Sequence, residues 1–264
     1  MENQPAVSCF CLTYARPGLL EEAIYSFLQQ DYAGTKEMIV LNDYADQTLV
    51  FDHPEVRVIN VPRRFRTLGE KLNAAVALAS HDLLFAWDDD DVYLPRRLSF
   101  SVANFEPQKG FFKSDMAWFW NDHELSGPLR SLLHAGSCWS RQLFDAVRGY
   151  APEGCNCDQL FEQQLAARFP GSTAPCDVAL EDIYYIYRWS GTGSYHLSVI
   201  SRAQSTQNIG YAEVASFVRQ QADQGEVRHG TIALQPRWNV DYRQLVAGRI
   251  GGLGRTEGAG EEGG

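Results

Sequence analysis

The 264-residue sequence predicts an α/β fold in which helices flank a mostly parallel central sheet. Short, continuous apolar segments alternate with segments whose apolar residues recur at helical spacing. Continuous apolar strands are typical of a parallel sheet, because helices cover both of its faces. The order strand, helix, strand, strand, helix, strand over residues 6–87 is typical of an α/β domain.

Four strands and two helices account for this N-terminal order. The strands are predicted at residues 6–14, 36–43, 55–61 and 82–87. The helices are predicted at 19–30 and 68–80, where the apolar residues fall on one face. In open sheets of this kind, ligands bind outside the carboxyl ends of the strands.

The remainder of the chain is less regular. Helices are predicted at 96–105, 140–150 and 157–169, and strands at 112–122, 130–139 and 182–189. Beyond residue 201 we expect a C-terminal extension, 201–247, with a helix at 211–220 and a strand at 230–234. Residues 248–264 are rich in Gly and Glu and predict a disordered tail.

Composition limits the function classes. A formal net charge of −10 argues against a general electrostatic nucleic-acid binder, although the basic cluster Pro62–Arg66 is compatible with an anionic ligand. Met1–Val7 lacks the basic and apolar regions of a secretory signal, and no apolar run is long enough for a membrane helix. We therefore expect a cytoplasmic protein whose six cysteines are reduced. Cys155, Cys157 and Cys176 match no common zinc-site spacing.

An acidic run follows the fourth strand, in "LLFAWDDDDVYLP". In an extended chain Asp88 and Asp90 would project to one side, about 7 Å apart, while Asp89 and Asp91 would face the other side or the following loop. A hard divalent ion such as Mg²⁺ would join two such carboxylates. A solvated acidic turn, with Asp91 capping the next helix, is the alternative that the run alone leaves open.

Polar residues also follow or face the other strand ends. Arg16 follows the first strand and could bind a phosphate oxygen or lie on the surface. Asp43 follows the second strand and could accept from a nucleobase or ribose, or simply form a turn. Lys71 lies near the start of an apolar helix, where a lysine is unexpected unless it faces an anion.

Four segments, taken in order and spacing, resemble one enzyme family. They are "VSCFCLTYARPGLLEEAIYSFLQQDY", "EMIVLNDYAD", "LGEKLNAAVALASHDLLFAWDDDDVYLPRRL" and "GSCWSRQLFDAVRGY". Together they resemble a nucleotide-sugar glycosyltransferase of family 2, over roughly Ala6 to Phe169. The resemblance implies the GT-A fold, a Rossmann-like α/β domain with a smaller C-terminal region on the acceptor side.

The resemblance implies a role for the acidic run. The run matches the family's DxD motif, in which Asp88 and Asp90 bind the ribose and the metal on the donor diphosphate. We expect Asp88 and Asp89 to bind the donor and Asp90 to bind the metal, Mn²⁺ or Mg²⁺. His196 is a candidate second metal ligand, because many GT-A enzymes use a C-terminal histidine; a structural histidine is the alternative.

The resemblance also implies the rest of the donor site. Asp43 matches the aspartate that binds the nucleobase, commonly uracil. Thr13 and Tyr14 match the loop that packs against the nucleotide. With Arg16 and Lys71, these residues form the predicted donor-binding set.

A general base completes the predicted machinery, since the acceptor hydroxyl must lose a proton as it attacks. The family places this base at the start of the helix after a "GGY/GGF" turn, which Asp158 matches here, after "RGY". A plain helix-start carboxylate is the alternative role for Asp158. The pair Glu181–Asp182 is a second candidate base, and His134 falls where the family lines the acceptor side.

These observations predict an inverting, metal-dependent glycosyltransferase that uses a nucleoside-diphosphate sugar, with a UDP-sugar favoured. We expect one domain at 1–200, with a donor half at 1–105 and an acceptor and catalytic half at 106–200. The acceptor is open among a saccharide, a lipid-linked sugar, a protein and a modified nucleic acid. A nucleotidyltransferase and a non-catalytic sugar-nucleotide or metal-binding module are the alternatives.

Overall fold

The computed structural model describes residues 4–121, 123–154, 156–189 and 209–258. Its strands are β1 Val7–Thr13, β2 Lys36–Asn42, β3 Gln47–Val50, β4 Val56–Asn60, β5 Leu83–Asp88, β6 Val92–Tyr93, β7 Phe111–Lys113, β8 Met116–Trp120, β9 Leu125–Arg130, β10 Ser137–Ser140, β11 Tyr185–Arg188 and β12 Gly230–Ala233. Its helices are α1 Pro17–Leu28, α2 Leu68–Ala77, α3 Arg97–Ala103, α4 Arg141–Ala146, α5 Cys157–Arg168, α6 Ile209–Asp223 and α7 Tyr242–Gly258. Two 3₁₀ turns lie at His134–Gly136 and Leu180–Asp182.

A six-stranded sheet forms the centre, in the order β4-β2-β1-β5-β10-β7. The first four strands run parallel, and β10 and β7 continue the sheet in antiparallel pairs. Thr13 pairs with Asn42, and Leu12 pairs with Asp88. The carboxyl ends of β1, β2 and β5 therefore lie side by side, as the sequence predicts.

Helices cover both faces of this sheet, which confirms the predicted α/β fold with a mostly parallel sheet. Cys9 and Cys11 pack on the side of α1, with Leu20 and Ile24. Phe10, between them, belongs to the cluster on the opposite face, which includes residues of α2, α4 and α5. Burial raises the pKa of the Cys9 thiol to about 12, so this cysteine is an inert apolar residue of the core.

A second sheet, in the order β6-β11-β8-β9, packs beside the first. Its strand β11 runs parallel to β8 and antiparallel to β6, which directly follows the acidic run. The segment 130–139, expected to be one strand, divides into the end of β9, a 3₁₀ turn and β10. Three tryptophan side chains are buried in the core, those of Trp118, Trp120 and Trp139. They therefore do not offer open surfaces on which a sugar could stack.

The C-terminal part joins the same core. Strand β12 pairs in parallel with β3, and α7 places Tyr242 and Val246 in the cluster that contains α1. The expected disordered tail from residue 248 differs from the structure, in which α7 continues through Gly258. The physical reason is the apolar spacing of Val246, Ile250 and Leu253, which pack on the core. Residues 259–264 lie outside the described residues.

Within the described ranges, no helix combines the length and the apolar character needed to cross a membrane.

Candidate functional site

The candidate site lies at the carboxyl edge of β1, β2 and β5. The segment that follows β1 carries Tyr14 and Arg16, Asp43 directly follows β2, and Asp88 is the last residue of β5. The parallel register brings these three strand ends together. The predicted convergence of polar strand ends is therefore present.

The acidic run forms a turn, and this corrects the expected extended geometry. The chain bends at Asp89 and Asp90 before β6 begins at Val92. As a result, Asp91 joins Asp88 and Asp90, and each offers a carboxylate oxygen within 4.8 Å of the others. Asp88 is exposed, whereas Asp90 and Asp91 are buried. In a straight strand, alternation would separate Asp91 from Asp88 and direct it to the other side or the following loop.

This trio fits a hard divalent cation. Its donors are all carboxylate oxygens, which Mg²⁺ and similar ions prefer. Among the residues that the structure describes, it is the only group of three or more His, Cys, Asp or Glu side chains with suitable spacing. Cys157 is buried in the core and Cys155 lies outside the described residues, as does His196.

Strand β11 supports the acidic turn from behind. The Tyr185 hydroxyl donates to Asp91 Oδ2 at 2.6 Å, and the Arg188 backbone N–H donates to Asp91 Oδ1 at 2.9 Å. The Arg188 guanidinium donates to the Asp90 carbonyl and pairs with Glu22 of α1. Arg188 is 1% exposed, so this cation lies inside the protein, directly behind the turn.

Arg16 faces the turn from β1. Its guanidinium pairs with Asp89, and its Nη1 lies 3.0 Å from Asp90 Oδ2. Asp89 is thus directed towards Arg16 and lies outside the carboxylate trio. Burial raises the pKa of Asp89 to about 6, against the lowering effect of the Arg16 guanidinium. The anion that Arg16 contacts in this structure is the protein's own acidic turn.

Asp43 and Lys71 form a buried ion pair. Lys71 Nζ lies 2.5 Å from Asp43 Oδ1 and donates to the Thr13 carbonyl at 2.7 Å. The Phe65 N–H donates to Asp43 Oδ2 at 3.0 Å. Burial lowers the pKa of Lys71, and the Asp43 carboxylate opposes that shift. Lys71, a cation that was unexpected near the start of a helix, therefore faces the Asp43 carboxylate.

An aromatic cluster that the sequence did not indicate lies beside this pair. The Arg64 guanidinium stacks 4.4 Å from the Tyr14 ring and 3.7 Å from the Tyr211 ring of α6. The Tyr211 hydroxyl donates to Asp43 Oδ2 at 3.4 Å. Tyr211 was missed because nothing in its local sequence indicates that α6 returns to the end of β2.

Asp158 lies half-buried in the first turn of α5. The loop before α5 packs closely on α2, where a Cβ added at Gly69 would lie 1.8 Å from the Ala151 carbonyl oxygen. Burial raises the pKa of Tyr150, with further contributions from the carboxylates of Asp158 and Asp88. The buried Tyr150 hydroxyl is therefore influenced both by Asp158, at the start of α5, and by Asp88, in the acidic turn.

The alternative base has a different environment. Asp182 lies in the second 3₁₀ turn, where it pairs with Arg96 beside the start of α3. Arg96 is half-exposed, so this pair is a surface contact. The ion pair of Asp182 is with Arg96 and not with a residue of the acidic turn.

The chain is similar to known glycosyltransferases. Residues 8–112 match the family model described as glycosyl transferase family 2. The putative colanic acid biosynthesis glycosyl transferase WcaA of Escherichia coli (strain K12) is 28% identical over an alignment of 156 residues, and the match covers 54% of this chain and 54% of that protein. The chain thus spans about half the length of the curated relative it matches.

Solved structures share the fold. The Pyrobaculum calidifontis mannosyltransferase PcManGT, in complex with GDP-Man and Mn²⁺, has a TM-score of 0.53 at 14% identity, over 95% of this chain and 81% of that chain. The S. aureus TarS 1–349 complex with UDP has a TM-score of 0.50 at 16% identity, over 83% of this chain and 72% of that chain. At these identities the likeness establishes the fold, which is of the GT-A type.

Proposed function

Because residues 8–112 of this chain belong to glycosyl transferase family 2, we propose that the protein transfers a sugar from a nucleoside-diphosphate sugar to an acceptor hydroxyl. The observation that carries the proposal is the acidic turn, whose three carboxylates converge at the carboxyl edge of the sheet. This edge is where ligands bind in open α/β sheets.

Asp88, Asp90 and Asp91 would hold Mn²⁺ or Mg²⁺ at this edge. When bound, such an ion neutralises the charge that develops on the departing diphosphate. Support comes from the all-oxygen donor set and from PcManGT, whose complex contains GDP-Man and Mn²⁺. Arg16, held beside the turn by Asp89 and Asp90, would exchange one of these partners for a phosphate oxygen of the donor.

The nucleoside would bind on the side of β2. Tyr14 lies beside Asp43, and a nucleobase N–H such as that of uracil would bind Asp43 Oδ2 in place of the Tyr211 hydroxyl, the longest contact of that oxygen. The TarS complex with UDP supports a uridine donor by analogy. The Thr13 carbonyl accepts from Lys71, and Lys71 pairs with Asp43, so we assign both residues to donor binding through that carboxylate.

Asp158 would act as the general base. It would accept the proton of the acceptor hydroxyl while the hydroxyl oxygen attacks the anomeric carbon. The bond from that carbon to the diphosphate oxygen breaks, and the nucleoside diphosphate leaves with its electron pair. A single displacement of this kind inverts the anomeric configuration.

A thermal-shift panel of nucleotide sugars, with and without Mn²⁺, tests the donor site. We expect a UDP-sugar to stabilise the protein only when Mn²⁺ is present, and we expect Asp90→Ala to lose both that shift and transfer. No shift with any nucleotide, with or without metal, would contradict the proposed function.

The base is tested by Asp158→Asn, with Asp182→Asn as the matched control. We expect Asp158→Asn to keep the donor-induced shift and to lower the transfer rate about 100-fold or more, because the proton acceptor is gone. Asp182→Asn should transfer at the wild-type rate. The opposite pattern would identify Asp182 as the base.

A further inference from the structure

Four side chains outside the proposed donor site form one continuous hydrogen-bonded series, here named the His134 chain. Lys113 Nζ of β7 donates to Glu162 Oε2 of α5 at 2.5 Å. Glu162 Oε1 lies 2.7 Å from His134 Nδ1, and His134 Nε2 lies 2.7 Å from the Tyr150 hydroxyl. Lys113, His134 and Tyr150 are each less than 10% exposed. The proposed reaction assigns none of these groups a part.

Charge fixes the direction of the two hydrogen bonds to Glu162. Burial alone would raise the pKa of Glu162, but the hydrogen bond with His134 and the Lys113 charge outweigh it and lower that pKa. Glu162 is therefore a carboxylate and accepts from Nδ1–H. His134 Nε2 and the Tyr150 hydroxyl share the remaining hydrogen bond of the imidazole ring.

This series links α5 to the central sheet. Lys113 belongs to β7, and His134 begins the 3₁₀ turn that leads into β10. Tyr150, in the loop before α5, is also held through its backbone, because its N–H donates to Asn73 Oδ1 and its carbonyl accepts from Asn73 Nδ2, both at 2.9 Å. The start of α5 is thus attached both to α2 and to the sheet.

Asp158 lies at one end of this arrangement. Glu162 follows Asp158 by four residues, so the two carboxylates share one face of α5. Phe161 and Leu165 pack α5 against the apolar cluster, and this burial limits the rotation of the helix about its axis. A directional bond at Glu162 constrains that rotation, and hence the direction in which Asp158 points.

We propose that Lys113, Glu162, His134 and Tyr150 are positioning residues that fix the first turn of α5 and hold Asp158 towards the acidic turn. This inference rests on the proposed role of Asp158. The groups act through the helix and do not contact the reacting atoms.

The test compares Tyr150→Phe and Glu162→Gln with the control Tyr184→Phe in the full chain. Tyr184 is also a buried tyrosine, and its hydroxyl donates to the Gly136 carbonyl of the same 3₁₀ turn at 2.9 Å. The Tyr184 side chain contacts the 3₁₀ turn and residues of α3, so loss of its hydroxyl perturbs the turn without loosening α5. The measurements are amide hydrogen exchange of residues 157–162, donor affinity in the presence of Mn²⁺, and the kcat of transfer.

We expect Tyr150→Phe and Glu162→Gln each to raise exchange at 157–162 and to lower kcat, both about tenfold, the size expected for one lost hydrogen bond in a buried series. Donor affinity should stay within about twofold of wild type, the resolution of such titrations. Tyr184→Phe should change neither exchange at 157–162 nor kcat.

Unchanged exchange in both variants would overturn the inference, whether or not the wild type transfers sugar. Increased exchange with wild-type kcat, or a loss of donor affinity that matches the loss of kcat, would also overturn it. A wild type that transfers sugar from no nucleotide donor would instead refute the proposed function, and the exchange data would still decide whether the His134 chain fixes α5.

Discussion

At the scale of single residues, the buried Asp43–Lys71 pair has a direct consequence for stability. The Asp43 side chain is 0% exposed and that of Lys71 is 4% exposed. Burying an ion pair stabilises a fold little, because desolvation offsets the attraction. Removing one partner is different, since the other charge then stays in the interior without compensation.

We therefore expect Lys71→Met to lower the free energy of unfolding by about 3–5 kcal/mol. The double variant Asp43→Asn with Lys71→Met should recover much of that loss, because no charge remains buried. Urea unfolding of the two single variants and the double variant gives the coupling energy. Additive losses would mean that the two side chains do not depend on each other.

The sequence identified Lys71 through a local conflict, because a cation near the start of an apolar helix is unfavourable. It could not identify the partner, since Asp43 lies 28 residues away along the chain. Tyr211 gave no such signal: a tyrosine on an amphipathic helix is ordinary. The sequence analysis separated Asp91 from Asp88 and Asp90. This was wrong because side chains alternate between two sides only while the strand stays extended, and the chain turns here.

At the scale of elements, strand β11 determines the shape of the acidic turn. It contributes the Tyr185 hydroxyl and the Arg188 N–H to the two oxygens of Asp91. Groups that hold a metal-binding carboxylate in this way set its orientation, and their loss commonly weakens metal binding. The strand itself was predicted, and the strand predicted at 112–122 contains β8. The pairing of β11 with β8 and β6 was not predicted, because pairing partners carry no local sequence signal.

Tyr185→Phe should therefore weaken Mn²⁺ binding about tenfold while it keeps the aromatic packing of the ring. The Tyr185 ring stacks 5.3 Å from Tyr93, a contact that phenylalanine can also make. The neighbouring change Tyr184→Phe is the control, because that hydroxyl bonds to Gly136 and not to Asp91. Titration calorimetry with Mn²⁺ measures the difference, and equal affinities in the two variants would contradict the role given to Tyr185.

At the scale of the whole molecule, the described C-terminal part is built into the core. Trp238 Nε1 donates to Ser26 Oγ of α1 at 2.9 Å, and its ring packs 5.2 Å from Tyr25 and 5.7 Å from Tyr242. Ile232 and Leu234 join the same cluster as α1. From the sequence we expected only an extension beyond residue 201. Its packing on the core was not predicted, because short strands and a Gly-rich helix give weak hydrophobic periodicity.

We expect the described fold to unfold as a single cooperative unit. Trp238→Ala should lower its stability by about 3–5 kcal/mol, because a large aromatic contact against α1 is lost. Circular dichroism and tryptophan fluorescence, followed through the same urea titration, should report coincident transitions in both proteins. Two separate transitions, only one of them shifted by the substitution, would show that the C-terminal part is an independent unit.

The pairing of β3 with β12 has a consequence for how the protein is made. One edge of β3 is held early, because the Asn60 side chain bonds to both the N–H and the carbonyl of Leu49. The other edge of β3 can pair only after residues such as Arg228 have been synthesised. The Arg228 carbonyl accepts from the Gln47 side chain, and the two residues are 181 positions apart in the sequence. At roughly 5–20 residues per second, a ribosome needs on the order of 10 to 40 seconds to supply the residues between them. During that interval the nascent chain presents an unpaired strand edge, the kind of surface that chaperones protect.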